Sequence, residues 1–225
     1  MVAVAAAATH AVAAETKSRM KTNVSSPACN NMAYNSSAAK KYGSLYIMRH
    51  GRTDWNNLKK LQGRTDIPLN EEGRIMAQKA QEEYKNVHFD VCYCSPLIRA
   101  RETAQLLLKD RNIPVIIDER LIEMSFGVFE GVEKAYENPE CQMYSFFTDP
   151  EHYKEPEGGE SFKQLFKRTG DFLNDVVYKE LQKGKDILIV GHGAMNSSII
   201  CQVKNIPLAN FWDAGIENCK LKKLI

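Results

Sequence analysis

Apolar and polar positions along this chain repeat with two different periods. Short, largely apolar runs lie at 45–48, 89–94, 114–117 and 186–190, with Gly, Pro, Ser or charged residues at their ends. Runs of that length, flanked by chain-breaking residues, predict strands buried on both faces. Between them the period lengthens to that of a helix. Asn70 is placed to cap a helix over about 71–85, in which Met76, Ala80, Tyr84 and Val87 share a face. Ser95 and Pro96 predict an N-cap and first-turn proline for a helix through Leu108. A long helix is expected over 161–182, with Phe162, Leu165, Phe166, Thr169, Leu173, Val176, Val177 and Tyr178 on or near one stripe, and another over 193–204.

Strands that alternate with helices predict βαβ units. The expected fold is α/β: a three-layer α/β/α arrangement, with a mostly parallel sheet covered on both faces. The region 120–160 reads as irregular or built of short helices. Within it, 133–157 is an insertion rich in Tyr, Phe, Glu and Pro, placed to cover a pocket. One domain is expected over 44–225, with no internal repeat.

Residues 1–43 have a different character, being rich in Ala, Ser and Asn with little apolar periodicity. They read as a disordered N-terminal extension; a targeting peptide is the alternative, since the segment is acid-poor and carries scattered Lys and Arg. The whole chain has 225 residues, 44% of them hydrophobic and 26% charged, as in a water-soluble globular protein. A net charge of +2 gives no electrostatic case for nucleic acid or an anionic membrane. No apolar run approaches the roughly 20 residues of a membrane span. Six cysteines are scattered; Cys92 and Cys94 fall on one face of a predicted strand and read as core. Reduced thiols fit a cytoplasmic setting.

The chemistry gathers at strand ends, where open α/β sheets bind ligands. One strand stops at Arg49-His50-Gly51 and another at Gly191-His192-Gly193. Two His residues in matching positions are expected to face one another across a single crevice. A third strand end leads into a helix that carries Arg99 near its start. Two His and two Arg beside a helix N-terminus describe an anion site, since the Arg fork matches phosphate oxygens and the helix adds N–H donors. A His held neutral among arginines is a nucleophile toward phosphorus, giving a phosphohistidine. Glu123, after the third strand, is the best candidate for the acid that protonates the leaving alkoxide, and a bound phosphate is expected to raise its pKa toward neutrality. His88 and His152 lack glycine flanks and read as non-functional, and Arg101 as a solvated helix residue.

Arg49-His50-Gly51-Arg52-Thr53, with Asn56 beyond, resembles the signature of the histidine phosphatase superfamily, the phosphoglycerate-mutase-like proteins. The resemblance continues through Gln62-Gly63, Asp66–Leu69, Gly73, Ser95–Ala104, Leu121–Glu123, Phe126-Gly127, Glu130-Gly131, Gly158–Ser161 and Val190–Gly193. It implies that His50 is the phosphorylated nucleophile and Glu123 the general acid and base. It implies a phosphate pocket of Arg49, Arg99 and His192 with Asn56, and substrate contacts that include Gln62, Gly63 and Gly193. No metal and no cofactor is implied. Position 52 is often Glu or Gln in this motif; Arg52 either adds charge beside the pocket or points outward.

The same pocket can hydrolyse a phosphoester or act as a mutase. Cofactor-dependent mutases typically carry Glu-Arg-His-Tyr-Gly where this chain has Glu123-Met-Ser-Phe-Gly127. Gly158-Gly-Glu-Ser161, with the Phe126-Gly-Val-Phe-Glu-Gly131 pattern, resembles the small phosphatases, among them α-ribazole, broad-specificity and fructose-2,6-bisphosphatase-like members. The expected activity is therefore hydrolysis of a small phosphorylated metabolite. A bisphosphoglycerate-dependent mutase and a catalytically silent phosphate-binding module are the alternatives. Turnover of p-nitrophenyl phosphate separates enzyme from module. A homodimer is compatible with the sequence and is not demanded by it.

Overall fold

A computed structural model describes residues 42–225. The extension expected over 1–43 therefore lies, up to residue 41, outside the described residues, as does Cys29. Five strands form one sheet: β1 (Leu45–Arg49), β2 (Val91–Cys94), β3 (Val115–Ile117), β4 (Ile187–Gly191) and β5 (Leu221–Lys223). Their order is β3-β2-β4-β1-β5. All neighbouring pairs are parallel except β1 with β5. The helices are α1 (Asp54–Asn57), α2 (Glu71–Glu83), α3 (Ile98–Leu107), α4 (Tyr144–Thr148), α5 (Phe162–Phe172), α6 (Tyr178–Gln182) and α7 (Gly193–Lys204).

Successive side chains of a strand point to opposite faces, so β1 feeds two cores. Leu45 and Ile47 join Tyr93, Phe172, Ile187, Ile189 and Ile199 on the side of α5 and α7. Met48 joins Cys92, Cys94, Leu188 and Val190 against Ala77, Ala80, Ala100, Ala104 and Leu107 of α2 and α3. Alanines there let both helices lie close on the sheet. This is the expected three-layer α/β/α architecture, and Cys92 and Cys94 are core residues.

Three local expectations need correction. Ser95 does not cap α3: the N-cap is Leu97, which makes no side-chain cap bond. The orphan N–H of Ile98 is instead taken by the Asp66 carboxylate at 2.7 Å, freeing the Ser95 hydroxyl for the site described below. The long helix over 161–182 is broken by a π-helical stretch, Leu173–Val177, between α5 and α6. Strand β5 was not expected, because Leu-Lys-Lys carries no apolar run. It forms on the sheet edge, where Lys side chains are tolerated. No helix among the described residues is long and apolar enough to cross a membrane.

Candidate active site

Register places the two imidazoles. Arg49 pairs with Gly191 at the ends of β1 and β4. The next residues, His50 and His192, leave the sheet level with one another, and the His50 N–H donates to the Gly191 carbonyl at 2.9 Å. Their ring centroids are 5.2 Å apart, and both side chains are buried.

His50 Nδ1 lies 2.6 Å from the Gly51 carbonyl oxygen. A carbonyl only accepts, so Nδ1 carries the proton and Nε2 keeps its lone pair. Burial, followed by the charges of Arg99 and Arg49, holds the His50 pKa well below its ordinary 6.5. The ring is therefore neutral at physiological pH, with Nε2 unprotonated. The Gly51 N–H is held by the Thr103 hydroxyl at 3.0 Å, which donates in turn to the Arg99 carbonyl at 2.7 Å. Asn218 donates to the His50 carbonyl at 2.7 Å.

The orientation of His192 follows from counting protons. Ser95 Oγ accepts from the Leu97 N–H at 3.3 Å and lies 2.6 Å from His192 Nε2. The hydroxyl has one proton, and His192 Nε2 is its only acceptor among the described residues. That assignment puts the ring proton on Nδ1, which is buried without a partner. An orphan N–H beside two arginines is a donor waiting for an anion. Burial, then Arg99, His50 and Arg49, keeps this ring neutral too.

Arg99 is fully buried and spans from α3 to the loop after α1. It donates through Nη1 to the Thr65 carbonyl at 2.9 Å and through Nη2 to the Gly63 carbonyl at 2.7 Å, and its Nε has no partner. Burial lowers its pKa to about 10, so it stays charged at neutral pH. Arg49 is half-buried, with Nε unpartnered. Desolvation lowers its pKa, while Glu123 and Tyr136 act the other way. Gly63 adopts a left-handed φ of 53°, and a Cβ there would meet the Glu130 carboxylate at 2.1 Å, so a side chain would strain the turn and displace Glu130.

Glu123 sits at the N-terminus of α7. Its Oε1 accepts from the Met124 and Met195 N–H groups at 2.8 and 2.9 Å, and its Oε2 accepts from the Ala194 N–H at 3.2 Å. Oε2 is the less engaged oxygen and the one that can carry a proton to a ligand. Gly193 opens α7 with room beside it: a Cβ there would lie 3.6 Å from Arg49 Cζ and 3.7 Å from Glu123 Oε2.

Arg49, His50, Asn56, Gln62, Gly63, Arg99, Glu123 and Gly193 line one pocket of about 250 Å³. His192 stands behind it, against His50. Asn56 Oδ1 is occupied by the Thr53 N–H and hydroxyl in a capping box at α1, which leaves its NH2 group as a donor. Gln62 Oε1 is buried without a partner. Arg52 lies outside this pocket, in an adjoining cavity, and forms an exposed ion pair with Glu72 at 2.6 Å. Its charge is therefore neutralised locally rather than added to the pocket.

Sequence reasoning missed three groups. Ser95 was read as a helix cap. Glu130 ties the loop after α1 to the Glu123 segment, accepting from the Arg64, Thr65 and Phe126 N–H groups at 3.0, 2.8 and 3.2 Å. An aromatic wall of Tyr136, Phe147 and Trp212 completes the mouth. It comes partly from the insertion expected to cover the pocket.

Comparison with known proteins agrees with this geometry. The family model described as histidine phosphatase superfamily (branch 1) matches residues 45–225. Phosphoserine phosphatase 1 of Hydrogenobacter thermophilus is 30% identical over 176 residues, 77% of this chain and 82% of the relative. The adenosylcobalamin/alpha-ribazole phosphatase of Escherichia coli is 31% identical over 174 residues, 77% of this chain and 85% of the relative. Among solved structures, Bacillus stearothermophilus YhfR is similar with a TM-score of 0.74 at 30% identity, covering 80% of this chain and 90% of that one.

Proposed function

Because the chain belongs to the histidine phosphatase superfamily (branch 1), we propose that it hydrolyses small phosphomonoesters through a phosphohistidine on His50. His50 Nε2 attacks phosphorus in line with the ester oxygen. The P–N bond forms as the P–O bond breaks, and the departing alkoxide takes the proton carried by Glu123 Oε2. Glu123, now a carboxylate, removes a proton from water. The resulting hydroxide attacks phosphorus, breaks the P–N bond, and releases inorganic phosphate with His50 neutral again. The first displacement leaves a phosphoenzyme with Glu123 deprotonated, and the second restores both groups, so the two together return the enzyme to its starting state.

Fixed charge supplies most of the rate, because Arg49, Arg99 and the Nδ1–H of His192 are oriented before substrate arrives. Asn56, Gln62 and Gly193 complete the lining. The catalytic domain is assigned to residues 44–225. A reducing, cytoplasmic setting is supported by five free cysteines among the described residues.

One observation carries the reading: the 2.6 Å bond from His50 Nδ1 to the Gly51 carbonyl, which commits Nε2 to the pocket as a free nucleophile. The test is steady-state turnover of p-nitrophenyl phosphate by His50→Ala. A loss of about 10³-fold or more in kcat is expected. Turnover within about tenfold of the parent enzyme would contradict the reading.

A further inference from the structure

The phosphate end of the pocket accounts for Arg49, Arg99 and Glu123 and leaves its mouth unexplained. Trp55, Tyr136, Phe147 and Trp212 line that mouth and are each only partly buried. Large rings left half wet around a concave site are what an apolar ligand covers. The wall is rigid. Phe147 and Trp212 stack with centroids 4.6 Å apart at 21°, and Tyr136 leans on Phe147 at 4.9 Å. The indole N–H of Trp212 donates to the Phe146 carbonyl at 2.7 Å, which fixes the plane of its ring. Behind them, Phe146 is fully buried and packs edge-on against Phe126, Phe147 and Trp212. This packing holds the rings at the mouth.

The cations nearby do not change this. Lys59 is paired with Glu137 at 2.6 Å, and Lys60 lies over the Trp55 ring at 5.7 Å. Arg52 is outside the pocket. Beyond the phosphate subsite, the largest side chains offered to the alcohol part of a substrate are aromatic, with Lys59, Lys60 and Leu61 beside them.

We propose that the preferred phosphomonoester carries a flat apolar ring system, held against the Tyr136–Phe147–Trp212 wall while its phosphate sits between Arg49 and Arg99. This rests on the phosphatase reading and specifies its substrate class. The wall acts on binding and not on the bond-breaking step.

The test compares three esters whose leaving groups are all ordinary alkoxides, so that leaving-group ability does not decide the outcome: 2-phenylethyl phosphate, n-propyl phosphate and O-phosphoserine. The parent enzyme should favour the phenylethyl ester by about tenfold or more in kcat/KM, chiefly through KM. Phe147→Ala and Tyr136→Ala should each shrink that preference by about three- to tenfold. Phenylphosphonate should likewise inhibit more strongly than methylphosphonate, a binding comparison that needs only the parent enzyme. Equal use of the propyl ester, or better use of phosphoserine, would overturn the proposal and leave the phosphatase reading standing. Absence of phosphate release from all three, while both phosphonates bind alike, would overturn both.

Discussion

The proton on His50 Nδ1 has one acceptor, the Gly51 carbonyl, and the proton of Ser95 has one acceptor, His192 Nε2. Two hydrogen bonds thus set the tautomers of both rings: one presents a lone pair and the other an N–H. Ser95→Ala removes the acceptor's partner inside a buried site, which costs about 1–3 kcal/mol and releases the His192 tautomer. The expected result is a ten- to hundredfold loss in kcat/KM, by analogy with removal of a single oriented donor, together with loss of the Nδ1–H pattern of His192 in imidazole nitrogen NMR. An Nε2–H pattern in the parent protein would contradict the assignment. Glu123→Gln should slow alkyl phosphates far more than p-nitrophenyl phosphate, whose leaving group needs no proton. Equal slowing would remove the acid role. The meeting of His50 and His192, with Arg49 beside them, was legible because glycine-flanked strand ends mark them; Arg99 was suggested by its place near a helix start and Glu123 by its place after the third strand. Ser95 was not, because a Ser-Pro pair before a helix reads as a cap; only the structure shows Asp66 taking that task.

At the scale of elements, the site depends on how closely β1 and its following loop approach α2 and β4. A Cβ on Gly51 would lie 2.6 Å from the Gly73 carbonyl, and one on Gly73 would lie 2.1 Å from the Arg52 carbonyl. Neither obstacle is a flexible side-chain tip. Gly73→Ala should therefore reduce activity through displacement of the His50 loop, visible as a changed His50 resonance even where the protein remains folded. An unchanged resonance and rate would show that the loop yields freely. In the core, Phe172 is fully buried and meets Tyr93 edge-on at 5.5 Å. Phe172→Ala should cost about 3–5 kcal/mol in denaturant unfolding; a cost below about 1 kcal/mol would mean that the site collapses without a cavity. The parallel strands and main helices were legible because apolar runs and helical stripes differ in period. The π-helical stretch at Leu173–Val177 and edge strand β5 were not. A one-residue change of helical winding leaves the stripe continuous, and a short Lys-rich edge strand has no apolar pattern of its own.

For the molecule as a whole, both site histidines have folded-state pKa values below the ordinary 6.5. Between those values and 6.5 the unfolded chain binds more protons than the folded one, so stability rises with pH across that window. The contribution is complete above about 6.5 and declines as pH falls below it. The Tm measured from pH 8 to pH 5 should fall, and more shallowly in His50→Gln; an identical slope in that variant would contradict the buried, neutral ring. Of the whole, the three-layer fold and the paired strand ends could be read in advance. The aromatic mouth was legible only in part: the insertion that carries Tyr136 and Phe147 was expected to cover a pocket, but Trp55 and Trp212 come from distant segments that only the fold brings to it. The most direct test of the account is to quench a turning-over sample rapidly under alkaline conditions and locate the acid-labile phosphoryl group by peptide mass spectrometry. The account predicts phosphate on the imidazole of His50, and none in His50→Ala. Phosphate on another residue, or turnover with no phosphoenzyme under single-turnover conditions, would contradict it.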